Sequence, residues 1–273
     1  MSSLDHRLSK VSETLDRMHP SGLLYTTYEA RLLDQLDRSR LPQHVAVLAD
    51  GNRRWARLNA PGEPLVTGYE AGADRLREFC TWCDAVGTPI ITLWVLSTDN
   101  LQRAETGELG PLLKVIESLV DSLAANSRWR VQAVGDLDLL PDDMAESLCR
   151  AGRTSAGHVG MHINVAVAYG GRHELRDAVR SLLAEEAEKG TSLADLARTL
   201  EIDQIEDHLY TRGQPDPDLI IRTSGEQRLS GFLMWQSAHS EFYFCEALWP
   251  DFRKVDFLRA LRSFTQRERR YGR

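Results

Sequence analysis

Five short apolar runs rich in β-branched residues recur along the chain and set the strongest limit on its fold. They lie at 45–49, 90–96, 130–134, 162–168 and 218–222, and helix-like segments separate them. Continuous apolar runs are typical of strands buried on both faces, and strands that alternate with helices are typical of a parallel sheet. We therefore predict an α/β fold with a mostly parallel central sheet flanked by helices.

The 273 residues suit a single domain with a helical N-terminal extension. Apolar residues recur at helical spacing in two early segments, 4–18 and 32–36, with a Pro-Ser-Gly break between them. We predict an extension over 1–43 and the main domain over 44–273. The helices of the extension could cover the core, help two copies associate or touch a membrane surface, and packing is the default interpretation.

The run at 218–222 ends in Arg222, and a loop with several hydroxyl groups, Arg228 and Ser230 follows it. In open α/β sheets, ligands bind just outside the carboxyl ends of the strands. Arginine forks match phosphate oxygens bidentately, so this strand end predicts a phosphate site. The alternative is a surface loop whose arginines pair with Glu226.

The run at 45–49 stops at Asp50-Gly51-Asn52, which Arg53 and Arg54 follow. Gly51 allows a sharp turn, and the amides after it can point at an anion where a helix begins. A carboxylate beside phosphates is typical of Mg²⁺ binding, although a single Asp can also simply cap a helix. Two such strand ends indicate two phosphorylated substrates side by side.

Neither strand end is a nucleotide site of a familiar kind. The chain has no Walker loop, and no Gly-x-Gly-x-x-Gly sequence follows a predicted strand. The net charge of −7 places the arginines as a local cluster in an acidic protein, whereas a nucleic-acid surface is more often part of a basic domain. We expect no nucleic-acid partner.

The motifs, taken in order, resemble those of the cis-prenyltransferases, the family of undecaprenyl diphosphate synthase and the short-chain Z-farnesyl diphosphate synthases. The matching blocks are 44–56, 96–100, 168–174, 216–230, 235–236, 240–244, 248–252 and 267–272. They cover nearly the whole chain from His44 and are together far more specific than any single motif. The chain is identified as a member of this family.

The resemblance implies a role for each matching residue. Asp50 matches an essential aspartate that binds Mg²⁺, and Glu241 matches a second acidic residue near the metal. The residues that match the loop around the allylic diphosphate are Gly51, Asn52, Arg53 and Arg54. Those that match the isopentenyl diphosphate site are Arg222, Arg228 and Ser230, with Asn100 and Arg103 positioning substrate and proton transfer. Arg270 and Gly272 match a motif that reaches the isopentenyl site of a partner copy, which implies a homodimer.

The chain also departs from the family pattern in one loop. Where the family places an arginine three residues before a Gly-His pair, this chain has Leu65 and Gly68-Tyr69, after a modified loop at 59–64. Two usual diphosphate ligands are therefore missing. We interpret Arg53, where long-chain members carry glycine, as compensation, a combination that resembles the actinobacterial short-chain enzymes.

The implied reaction joins isopentenyl diphosphate to an allylic diphosphate, geranyl or dimethylallyl, and creates a Z double bond. The depth of an apolar tunnel should set product length, because each added isoprene unit needs space. Trp94 and Val95 are the candidate wall residues, and we predict a C15 product.

Three other functions stay open at this point. The altered loop leaves room for irregular head-to-middle coupling of allylic units to lavandulyl-type skeletons. A non-catalytic partner subunit of a heteromeric synthase and a phosphate-binding regulatory module are the other two. Retained Asp50, Asn100 and Arg222 argue against the subunit, and a lipid-length cavity would argue against the module.

The sequence also carries expectations about location. The N-terminus lacks the apolar core of a signal peptide, and no apolar run approaches the roughly 20 residues of a membrane span. We expect a cytoplasmic protein, with peripheral membrane contact left open.

Overall fold

The computed structural model describes residues 23–101 and 107–267. Its described strands form a six-stranded sheet in the order β3-β4-β2-β1-β5-β6, and every neighbouring pair is parallel. The strands are β1 (His44–Leu48), β2 (Ile90–Trp94), β3 (Arg130–Val134), β4 (His162–Ala166), β5 (Leu219–Arg222) and β6 (Glu241–Phe244). The predicted α/β fold with a parallel sheet is therefore confirmed, and all five predicted strands are present. The additional strand, β6, is a four-residue edge strand.

The helices of the described residues connect and cover these strands. They are α1 (Leu23–Asp34), α2 (Asn52–Asn59), α3 (Val66–Val86), α4 (Thr98–Leu101), α5 (Leu109–Ala124), α6 (Asp142–Ser155), α7 (Gly171–Glu188), α8 (Leu193–Thr199), α9 (Ile202–Glu206) and α10 (Lys254–Gln266). Short 3-10 turns lie at Arg38–Arg40, Leu137–Leu139 and Trp249–Asp251. None of the helices in this part of the chain has both the length and the apolar character that a membrane crossing requires.

The chain divides into two compact units. The larger, Pro42–Phe252, contains the sheet and α2–α9, and the smaller combines the segments before Pro42 and after Phe252. In the smaller unit Lys254 Nζ lies 3.0 Å from Glu29 Oε2 on α1. The second predicted N-terminal helix corresponds to α1, whereas the one predicted at 4–18 lies outside the described residues. The predicted boundary between residues 43 and 44 stays a prediction.

The core of the larger unit occupies both faces of the sheet. Every residue of β1 and β5 is buried, which explains why these strands are apolar apart from His44 at the start of β1 and Arg222 at the end of β5. One cluster packs Leu48 and Ile220 against Phe232 and Leu233. Elsewhere Phe79 meets Trp249 edge to face, with ring centroids 5.7 Å apart. The packing on the two faces of the sheet holds the ends of the strands in place. The candidate site lies at those ends.

Candidate active site

The functional side chains converge at the carboxyl ends of three adjacent strands. Leu48 at the end of β1 pairs with Trp94 on one side and with Arg222 on the other. Asp50 follows β1, and Asn100 lies shortly after β2. Because parallel strands end at the same edge, residues more than 170 positions apart in the sequence meet here.

Arg222 is the centre of the polar network at this edge. Its side chain is only 5% exposed, and one terminal nitrogen donates to Asp50 Oδ2 at 3.1 Å. The other donates to Ser230 Oγ at 3.0 Å and to the carbonyl oxygen of Arg228. The Nε atom is buried and has no hydrogen-bond partner among the described residues. Arg222 therefore ties the two predicted phosphate sites together and keeps one unused donor.

The loop after β5 adopts conformations that side chains rarely take. Ser224 has φ 77° and Ser230 has φ 52°, both in the left-handed region. Such residues cluster at ligand sites, where the surrounding structure holds them in place. Thr223 anchors this loop to β1, since its Oγ1 donates to the carbonyl of Asp50 at 2.8 Å.

Support for the loop also comes from a buried carboxyl group. Glu174 accepts hydrogen bonds from Tyr169 Oη at 2.5 Å and from Gln236 Nε2 at 3.0 Å, and burial raises its pKa. Tyr169 Oη in turn accepts from the backbone N–H of Leu233 at 3.1 Å. The network fixes the segment just after Ser230, and sequence reasoning missed Glu174 as a site-supporting residue.

The turn after β1 depends on a glycine. Gly51 has φ 110°, and a Cβ atom there would lie 2.9 Å from Leu248 Cδ2. The next residue, Asn52, begins α2, and its Nδ2 donates to the carbonyl of Ala49 at 3.2 Å. Its Oδ1 is buried and has no partner among the described residues. The turn thus places an unused oxygen atom two residues from Asp50.

Close packing of α3 against α2 holds this turn in place. A Cβ atom on Gly68 would lie 2.3 Å from the carbonyl oxygen of Asn52, and one on Gly72 would lie 2.4 Å from Asn52 Oδ1. Contacts of that length do not occur, so α3 approaches α2 only because glycine stands at both positions.

Gly68→Ala should therefore destabilise the protein by about 1–3 kcal/mol, since the new methyl group meets backbone that cannot move aside easily. The matched control is Gly110→Ala on α5, where a Cβ atom would meet nothing within 4 Å. That change should be neutral or stabilising, because alanine has a higher helix propensity than glycine. Chemical denaturation measures both, and equal effects would contradict the packing described for Gly68.

Arg53 and Arg54 leave the start of α2 in different directions. A terminal nitrogen of Arg54 donates to the carbonyl of Ser224 at 3.4 Å. Arg53 forms an ion pair with Glu108, with Nε 3.3 Å from Oε2, and Tyr69 Oη donates to the same oxygen at 3.3 Å. Sequence reasoning predicted the arginines but missed Glu108, which lies 55 positions from Arg53.

A cavity of about 420 Å³ opens from these polar groups into the larger unit. Its mouth is lined by Asp50, Arg54, Arg57 and Arg222 among others, and its depth is lined by apolar side chains. The apolar residues from α5 are Leu109, Leu112, Val115, Ile116 and Leu119, which recur at helical spacing, and α3 contributes Ala73 and Leu76. The site combines a charged mouth with an apolar interior.

The predicted wall residues Trp94 and Val95 both line this cavity, as do Asn100 and Ser230. The Trp94 ring stacks on Phe232 with centroids 5.0 Å apart, so it is held rigidly. The structure brings these residues together, and their individual roles stay predictions.

Arg228 and Glu241 are placed differently from the expectation. The Arg228 side chain is 68% exposed and pairs with Glu226 at 2.8 Å, so the surface-loop alternative describes this arginine, and only its carbonyl contacts Arg222. Glu241 pairs with Leu219 at the amino end of β5, while Phe244 pairs with Arg222. Three strand residues span about 10 Å, so Glu241 does not lie beside Asp50 of the same chain, and the metal role expected for Glu241 stays a prediction. Arg103, Arg270 and Gly272 lie outside the described residues.

The donor atoms at the mouth fit a hard cation. The described residues contain no group of three or more His, Cys, Asp or Glu side chains that could hold a metal ion. The Asp50 carboxylate is 42% exposed and lines the cavity together with Asn52. Mg²⁺ commonly takes one or two protein oxygens and completes its shell with phosphate oxygens and water. The residues present therefore fit Mg²⁺ that arrives with a diphosphate.

A charged mouth that can hold diphosphate, leading into an apolar cavity, defines a protein that binds lipid diphosphates. Comparison with known proteins agrees, since the prenyltransferase family model of undecaprenyl diphosphate synthase matches residues 48–272. The chain belongs to this family.

Relatives and a solved structure place the chain more closely. It is 58% identical over 249 residues to the (2Z,6E)-farnesyl diphosphate synthase of Thermobifida fusca, covering 91% of this chain and 97% of the relative. It is 55% identical over 250 residues to isoprenyl transferase 1 of Streptomyces avermitilis, covering 92% and 96%. The crystal structure of lavandulyl diphosphate synthase from Lavandula x intermedia, in complex with dimethylallyl diphosphate, superposes with a TM-score of 0.78 at 33% identity, covering 86% and 100%.

Proposed function

We propose that the protein is a short-chain Z-isoprenyl diphosphate synthase that joins isopentenyl diphosphate to dimethylallyl or geranyl diphosphate. The observation that carries the proposal is the cavity itself, in which Asp50 and Arg222 stand at the mouth of an apolar interior. A phosphate-binding regulatory module would have no need for that interior. Names of relatives at 55–58% identity support the same activity.

In the proposed reaction, the C–O bond of the allylic diphosphate breaks and both electrons leave with the diphosphate. The π electrons of isopentenyl diphosphate form the new bond from C4, and a proton leaves C2. Arg54 and the amides at the start of α2 would stabilise the departing charge, since preorganised donors act where charge develops. Arg222, which lines the cavity and whose Nε makes no hydrogen bond among the described residues, would bind the second diphosphate.

We propose Mg²⁺ as the cofactor, held by Asp50 and by diphosphate oxygens. When bound, the ion would neutralise charge on the departing diphosphate. The direct test incubates purified protein with geranyl diphosphate and labelled isopentenyl diphosphate. Label should enter a lipid product with Mg²⁺ and not after chelation by EDTA, and incorporation that is unaffected by EDTA would contradict the metal assignment.

Sequence identity to relatives favours regular coupling over irregular coupling. The lavandulyl diphosphate synthase shares 33% of its sequence with this chain, whereas the (2Z,6E)-farnesyl diphosphate synthase shares 58%. Retention of Asp50 and Arg222 in contact argues against a non-catalytic subunit. The homodimer with Arg270 and Gly272 at the partner's site, and the cytoplasmic location, stay predictions.

Filling the cavity should shorten the product. Val95→Phe adds bulk to a wall residue, so with dimethylallyl diphosphate as starter the C10 fraction should rise at the expense of C15. Val159→Phe, at a 99% exposed position, is the control and should leave the profile unchanged. Chromatography of the dephosphorylated alcohols measures both product profiles. An unchanged profile for Val95→Phe would contradict the role of Val95 in limiting product length.

A further inference from the structure

Three side chains from separate elements meet at the edge of the cavity mouth, and two of them, Tyr69 and Glu108, have no part in the reaction as described so far. Arg53 lies on α2, Tyr69 lies on α3, and Glu108 immediately precedes α5. All three line the cavity. We call this group the mouth clasp. It puts a second carboxylate, in addition to Asp50, into a site that gathers several arginines for anionic substrates.

The contacts inside the mouth clasp are long for charged groups. Arg53 Nε lies 3.3 Å from Glu108 Oε2, and a terminal nitrogen donates to Oε1 at 3.4 Å. Charge-assisted N–H···O bonds usually measure about 2.7–2.9 Å. Moreover, Arg53 Nε is buried and makes no hydrogen bond within the described part of the chain. The ion pair with Glu108 therefore holds the Arg53 side chain but leaves at least one of its N–H donors without a hydrogen bond.

The surroundings of the pair favour exchange of its partner. The Arg53 and Glu108 side chains are 32% and 22% exposed, so solvent screens the attraction between them only partly. Arg54, Arg57 and Arg222 line the same cavity. A diphosphate bound there would offer Arg53 several charged oxygens in place of one carboxylate, and its charge would repel Glu108.

We propose that Glu108 is the resident counter-ion of Arg53 and gives the arginine up to the incoming diphosphate. Glu108 thus sets how tightly the site holds a diphosphate, and it recaptures Arg53 when the pyrophosphate product leaves. Tyr69 holds the carboxylate in place through its hydroxyl group. The inference rests on the proposed function, because it needs a diphosphate at this mouth.

The test is calorimetric titration of the purified protein with inorganic pyrophosphate in the presence of Mg²⁺, which needs no turnover. Glu108→Gln keeps the shape of the side chain and removes its charge. It should bind pyrophosphate roughly fivefold more tightly, because the Glu108 carboxylate no longer competes for Arg53. That ratio corresponds to the strength of a strong, partly exposed ion pair. Asp121→Asn, at an exposed position of α5, is the matched control and should match the unsubstituted protein.

The same substitution in an Arg53 variant separates an effect that acts through Arg53 from simple repulsion between the Glu108 carboxylate and pyrophosphate. In Arg53→Gln protein, the additional Glu108→Gln change should alter the affinity by less than about twofold, because no arginine remains to be released. Unchanged or weaker binding in Glu108→Gln, or an equal gain in both backgrounds, would overturn the inference. Failure of the unsubstituted protein to bind pyrophosphate would instead overturn the proposed function.

Discussion

Replacement of Asp50 by asparagine should lower kcat by roughly a hundredfold to a thousandfold, the loss typical of a group that stabilises transition-state charge. The amide keeps the shape of the carboxyl group and can still accept the hydrogen bond from Arg222. It loses the negative charge that would hold Mg²⁺ at the mouth. Steady-state kinetics with saturating Mg²⁺ and both diphosphates measures the effect.

The fold should survive this change. Asp50 is 42% exposed but Arg222 is only 5% exposed, so loss of the counter-charge should lower the free energy of unfolding by about 1–3 kcal/mol. Asp74→Asn, an exposed carboxylate of α3 that pairs with Arg77, serves as the control for charge removal. Near-normal turnover of Asp50→Asn would contradict the role given to Asp50.

Replacement of Arg222 by lysine should have the second large effect, although the charge is kept. The guanidinium group reaches Asp50, Ser230 and the Arg228 carbonyl at once, and one ammonium group cannot reproduce that fork. We expect kcat/KM for isopentenyl diphosphate to fall roughly a hundredfold, because about 2–3 kcal/mol of charged hydrogen bonding is lost.

The same substitution should also destabilise the loop after β5. Ser224 and Ser230 are held in left-handed conformations, and the bond from Arg222 to Ser230 is one of the contacts that hold them. Hydrogen exchange should therefore speed up at 224–230 in Arg222→Lys. Arg212→Lys, at an exposed position, should change neither kinetics nor exchange. Unaltered kinetics in Arg222→Lys would show that the fork is not needed.

Much of the fold followed from the sequence because buried parallel strands leave a strong signal. The strands β1 and β5 are buried at every position, so their residues are all apolar apart from His44 and Arg222 at their ends. Once those strands are parallel, Asp50 and Arg222 must meet at one edge. β6 was harder to predict, since four residues that begin with Glu241 carry little periodicity.

The partners of individual side chains were less predictable. The pairing of Arg53 with Glu108 depends on how α2 and α5 each pack against α3, and no local pattern links positions 55 residues apart. The partners of Glu174 were equally hard to predict. The residue belongs to a recognisable motif, but the sequence does not show that its carboxyl group is buried. Glu241 shows the reverse case, because similarity suggested a neighbour of Asp50 and strand register places it at the other end of the sheet.

The central claim is regular Z-coupling of isopentenyl diphosphate to an allylic diphosphate in this cavity. Product analysis tests it most directly, with purified protein, Mg²⁺ and dimethylallyl or geranyl diphosphate, each with and without isopentenyl diphosphate. We predict a linear C15 alcohol after dephosphorylation, Z,E-configured from geranyl diphosphate and Z,Z-configured from dimethylallyl diphosphate, formed only when isopentenyl diphosphate is present. A branched alcohol formed from the allylic substrates alone would contradict it.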